Sequence, residues 1–122
     1  MTPGAVEDAA RAAGRYLLGP PARVALDLPA DRSGLRVDRG IYLVYARDGE
    51  LHYIGKTDRP TGTAAGRLNE HLRSSRRKRA AWRTLWIVPL TADMPAHMVM
   101  TLERALIRAY RPVGNLQHAM AA

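Results

Sequence analysis

The sequence predicts a small α+β domain: a three-stranded antiparallel sheet, made of a β-hairpin and one further strand, flanked by helices and preceded by an N-terminal helical extension. Three observations predict it. Asp48-Gly49 stands between two apolar, strand-like runs, Ile41 to Ala46 and Leu51 to Ile54. Asp-Gly in that setting is the strongest short-range hairpin signal, because both residues tolerate the positive φ of a tight turn. Thr84 to Leu90 is continuously apolar through Leu85, Trp86, Ile87 and Val88, the pattern of a strand covered on both faces. Apolar residues at helical spacing then run up to Tyr110.

Taken in order, Ala5 to Leu18 reads as a first helix, with Val6, Ala9, Ala10, Ala13 and Leu17 along one face. Gly19-Pro20-Pro21 ends it. Arg23 to Leu28 reads as a short strand, and Ala30 to Arg39 as a polar loop. Residues 1–39 are therefore an extension and 40–122 the domain proper. After the hairpin, Lys56 to Gly62 is turn chemistry. A helix follows from about Thr63 to Arg73 and further into the basic run. Asp93 is placed to cap the final helix, with Pro95 near its first turn and Pro112 stopping it.

Composition narrows the function. The 122 residues make one domain with a modest core. Nineteen Lys and Arg against eleven Asp and Glu give a net charge of +8, which favours polyanion partners, nucleic acid above all. No apolar run approaches the ~20 residues of a membrane span, and no signal peptide opens the chain, so a cytoplasmic protein without a membrane partner is expected. The absence of cysteine removes disulfides, zinc ribbons and thiol nucleophiles. His52, His71, His97 and His118 fall at no recognised metal spacing.

The final helix holds one anomaly. On a 3.6-residue wheel Met98, Val99, Leu102, Ala105, Leu106, Ile107, Ala109 and Tyr110 share an apolar arc, while Thr101, Arg104 and Arg108 form the polar face. Glu103 falls inside the arc, where an ionised carboxylate is costly unless a cation meets it. That cation is either an arginine or a metal ion.

Gly40-Ile41-Tyr42 and Tyr53-Ile54-Gly55 bracket the hairpin turn, in order and intact, which puts Tyr42 and Tyr53 on paired strands. In this the chain resembles the GIY-YIG nuclease family. Further motifs follow in family order over Gly40 to Leu116, about two-thirds of the chain. They are Lys56-Thr57 directly after Tyr-Ile-Gly, Arg67-x-x-x-His71, a glutamate on the helix after the third strand (Glu103), and Pro112-x-x-Asn115. The segment Thr57 to Gly66 departs from the family pattern in being longer and richer in Pro and Gly.

The resemblance implies a divalent-metal-dependent endonuclease on nucleic acid, with DNA favoured over RNA. It implies Tyr42 as general base on water, Tyr53 orienting water or phosphate, and Arg67 on the scissile phosphate. His71 would hydrogen-bond Tyr42 or the water, and Glu103 would be the single ligand of Mg²⁺ or Mn²⁺. Lys56 and Asn115 would support the site. The basic run Arg73, Arg76, Arg77, Lys78, Arg79 and Arg83, with Trp82 beside it, reads as a phosphate-backbone contact surface lacking sequence specificity. A non-catalytic nucleic-acid-binding module of the same fold is the alternative. One site per chain implies nicking, or a homodimer on the substrate for a double-strand break, and 122 residues leave no room for a separate DNA-recognition domain.

Overall fold

The computed structural model describes residues 2–25, 39–57 and 82–115. Its elements are helix α1 (Gly4–Ala13), a 3₁₀ turn (Gly14–Tyr16), strands β1 (Ala22–Ala25), β2 (Gly40–Ala46), β3 (Leu51–Thr57) and β4 (Trp82–Pro89), and helix α2 (Ala96–Tyr110). The sheet is antiparallel throughout, in the order β1-β4-β2-β3. It therefore has four strands rather than three. Ala22 pairs with Ile87 and Ala25 with Thr84, so the extension supplies an edge strand, and β4 becomes interior. The continuous apolar run reflects cover on both faces, since Leu85 and Ile87 on one side and Val88 on the other are all buried.

The first helix ends earlier than the sequence suggests. Gly14 takes φ 55 and returns its N–H to Arg11 O, which closes α1 before Gly19-Pro20-Pro21 is reached. The hairpin turn also differs in detail. Only Gly49 has positive φ (84), while Gly49 N–H donates to Ala46 O (3.0 Å) and Glu50 N–H to the Asp48 carboxylate (2.9 Å). This is a three-residue loop closed by a left-handed glycine, with Asp48 serving as a local acceptor. β3 continues through Lys56 and Thr57, because β2 extends to Gly40 and offers Thr57 a ladder partner. The expected turn at Lys56 is thus strand.

α2 starts after Pro95 without a side-chain cap, and Asp93 is exposed two residues earlier. Pro95 O instead accepts from Met98 and Val99 N–H (2.9 and 3.2 Å). The helix closes at Arg111 in the left-handed conformation (φ 47), whose N–H reaches Ile107 O. Its buried face is narrower than the wheel suggests: Val99, Leu102 and Leu106 are buried, whereas Met98, Ala105, Ala109 and Tyr110 are exposed.

One core joins these parts. Ala5, Val6, Ala9 and Ala13 of α1 and Val99, Leu102 and Leu106 of α2 cover Ile41, Leu43, Ile54 and Val88 on one face of the sheet. The extension is stitched to the end of β4 by Leu18 N–H to Pro89 O (2.9 Å) and Thr91 N–H to Tyr16 O (2.8 Å). Among the described residues no helix is long and apolar enough to cross a membrane.

Candidate active site

Strand alternation sorts the hairpin. Ile41, Leu43 and Ile54 face the helices, so Tyr42 and Tyr53 stand on the opposite face, where Tyr42 lies across from Gly55 and Val44 from Tyr53. The two phenol rings stack with centroids 6.1 Å apart and planes at 23°. Tyr42 is 4% exposed, and Tyr53 is half-buried. A Cβ at Gly55 would fall inside the Tyr42 ring and hydroxyl, far closer than any real contact. The second tripeptide thus needs its glycine to let the tyrosine of the first lie over the strand.

Two bulges flank this pair. Val44 pairs with Tyr53 and Tyr45 with Leu51, which makes His52 the extra residue of one bulge; Tyr45 pairs with Thr84 and Ala46 with Trp82, which makes Arg83 the extra residue of the other. Trp82, 5% exposed, packs its ring 5.6 Å from that of Tyr53 and donates Nε1–H to His52 Nδ1 (3.0 Å). Neutral His52 therefore carries its proton on Nε2. Trp82 acts as a packing residue that extends the aromatic stack to three rings. The sequence sets His52 only among histidines without metal spacing and Trp82 only beside the basic run, because their place around Tyr53 arises through strand pairing.

Asn115 holds the outer edge of β3. Its Nδ2 donates to Ile54 O (2.8 Å) and its Oδ1 accepts from Ile54 N–H (2.7 Å), so the side chain pairs with the edge strand as a neighbouring strand would. Gly114, next to it, lies so close to His52 that a Cβ there would sit 2.6 Å from the His52 carbonyl oxygen. Together these contacts fix both residues that flank Tyr53.

Glu103 is half-buried on α2, one residue beyond buried Leu102. Every other described carboxylate, Glu7, Asp8, Asp48, Glu50 and Asp93, is exposed. Among the described residues no three His, Cys, Asp or Glu come together as a metal cluster. A single half-buried carboxylate suits Mg²⁺, which keeps several waters and takes one or two protein carboxylates plus phosphate oxygens. Lys56 lies opposite Ile41, on the helix side of the sheet rather than the phenol side. Thr57, back on the phenol side, buries a hydroxyl that has no hydrogen-bond partner among the described residues. Arg83 is exposed at its bulge. Arg67, His71, Arg73, Arg76, Arg77, Lys78, Arg79 and most of the loop from Thr57 to Gly66 lie outside the described residues.

The family model of the GIY-YIG catalytic domain matches residues 39–117, nearly two-thirds of the chain. The chain belongs to the GIY-YIG family. No curated protein and no solved structure matches it. GIY-YIG membership makes this a nuclease-type domain whose substrate is nucleic acid.

Proposed function

We propose that the protein is a divalent-metal-dependent endonuclease that hydrolyses phosphodiester bonds, with DNA favoured over RNA. The observation that carries this reading is the stacked Tyr42–Tyr53 pair seated over Gly55 and buttressed by Trp82, His52 and Asn115. The glycine beneath one ring and the asparagine clasp on the neighbouring strand residue hold both phenols in place on one face of the sheet.

In the proposed reaction the Tyr42 side chain, as its phenolate, accepts a proton from a water as that water attacks phosphorus, and Tyr53 orients the water or the phosphate. Arg67 holds the scissile phosphate, for which a planar guanidinium with paired donors is suited. His71 hydrogen-bonds Tyr42 or the water. An ordinary phenol has a pKa of about 10, so Tyr42 depends on nearby positive charge to serve as a base. Glu103 is the residue that would hold Mg²⁺ or Mn²⁺, with Lys56 as a supporting charge. When bound, the ion neutralises charge at phosphorus and at the leaving oxygen. The new bond joins water oxygen to phosphorus while the bond to the 3′ oxygen breaks with its electron pair on that oxygen, which takes a proton from solvent, leaving a 5′-phosphate and a 3′-hydroxyl. Arg73, Arg76, Arg77, Lys78, Arg79 and Arg83 contribute affinity through the backbone phosphates.

Supercoiled plasmid incubated with Mg²⁺, with and without chelator, tests the reading. Wild type should nick in the presence of metal alone. Glu103→Ala should abolish nicking while plasmid binding persists, and Tyr42→Phe should slow it by ~10²–10⁴, the range for a lost general base. Unchanged nicking by Glu103→Ala would overturn the metal assignment. Wild-type protein that binds but never cuts with any divalent ion would make this a non-catalytic binding module.

A further inference from the structure

On the helix side of the sheet, at the hairpin end, lies a cavity of about 600 Å³ that plays no part in the phenol site. It is within the range of ligand pockets, about 300–1,000 Å³. Three arginines from three elements line it: Arg23 from β1, Arg47 from the hairpin turn and Arg83 from the β4 bulge. Among the described residues no carboxylate lines it. The bulge is what brings Arg83 there. In a regular strand Arg83 and Thr84 would face opposite sides, yet both line this cavity, while Trp82 turns to the phenols. Trp86, half-buried and the ladder partner of Arg23, forms part of the wall with Tyr45.

Arginine forks around an aromatic wall are the two components that bind a nucleic-acid strand without reading its sequence: guanidinium donors for the phosphate and a ring face for a base. We propose that this cavity is a second nucleic-acid site, taking a phosphodiester among Arg23, Arg47 and Arg83 and an unpaired base against Trp86. The base must be unpaired, since a base stacked within a duplex has no free face. The site deepens the endonuclease reading by selecting substrates with a single-stranded segment, and its binding step needs no cleavage.

The test is titration of the full chain, in chelator, with a short oligothymidylate, following tryptophan emission and the salt dependence of affinity. Wild type should bind with quenching. The double variant R23A/R47A removes two exposed side chains and should lower the log–log salt slope by about 1.4, at ~0.7 per single-strand phosphate contact. Trp86→Phe keeps an aromatic wall and should lose most of the quenching, and a blunt duplex should quench little. An R23A/R47A slope equal to wild type, full quenching by Trp86→Phe, or equally tight binding of polyglutamate would each overturn the proposal. Plasmid nicking that persists without oligothymidylate binding would remove this site alone. Oligothymidylate binding by a protein that never nicks would remove only the cleavage reading.

Discussion

A methyl group at Gly55 would occupy the space of the Tyr42 ring, so the smallest possible side chain there tests how the phenol is held. Gly55→Ala should either displace the ring or strain β3, at about 1–3 kcal/mol, the usual cost of overpacking a filled site. If Tyr42 is the base, nicking should fall as far as it does in Tyr42→Phe. Equal unfolding midpoints for Gly55→Ala and wild type in a urea titration would show that the ring is not wedged against the strand. Tyr45 makes a second prediction at this scale. Burial, and secondarily the charge of Tyr110, push its phenol up from 10.0 to about 12. The native state therefore holds this proton more tightly than the unfolded chain does. Its contribution to stability is complete below about pH 10 and is lost as pH rises towards about 12. Wild type should lose stability over that window relative to Tyr45→Phe, as read from paired urea titrations at pH 9 and 11.5, with pH values chosen to bracket a phenol of ordinary pKa about 10. Parallel losses in the two proteins would refute it.

Among the elements, β3 is an edge strand whose Ile54 amide and carbonyl are both taken by one side chain, Asn115. Asn115→Ala should cost about 1–3 kcal/mol, because a part-buried N–H and C=O lose their partner together. Hydrogen exchange at the Ile54 amide should accelerate while that of Leu43, interior on β2, stays slow; unchanged exchange at Ile54 would mean that solvent or a neighbour substitutes fully. At the other end of the same turn, α2 closes on Arg111 at φ 47, a conformation that costs a residue with a Cβ about 1 kcal/mol. Arg111 is exposed, so Arg111→Gly gives up little packing and should raise the melting temperature by a few degrees. A lowered melting temperature would mean that the arginine side chain stabilises more than its backbone strain costs.

Over the whole molecule, local patterns settled more than their single-residue signals suggest. Two tripeptides and an Asp-Gly turn were enough to put Tyr42 and Tyr53 on paired strands, whereas the bulge at His52 that brings both rings to one face has no local signal. The two-faced burial of the Leu85-to-Val88 strand and the amphipathic run to Tyr110 were likewise carried by the local apolar pattern. What escaped was whatever depends on two distant segments meeting. The fourth strand exists because Ala22–Ala25 finds the open edge of β4, and four residues have too little pattern to announce a partner. The glycine that stops α1 was ambiguous, since helix interiors and caps both tolerate Gly and only the realised φ of 55 separates them. The narrower buried face of α2 reflects how much of it α1 and the sheet can cover, which a helical wheel does not contain. The same limit applies to function. Residue order alone pointed to the family, and through that resemblance to the roles proposed for Tyr42, Tyr53 and Glu103. Only tertiary structure decided that Gly55 makes room for Tyr42, that Trp82 and His52 brace Tyr53, and that a bulge turns Arg83 towards a separate arginine-lined cavity. The reason is physical: propensity and spacing act within a few residues, whereas close contact and bulge geometry arise where strands from different parts of the chain are pressed together.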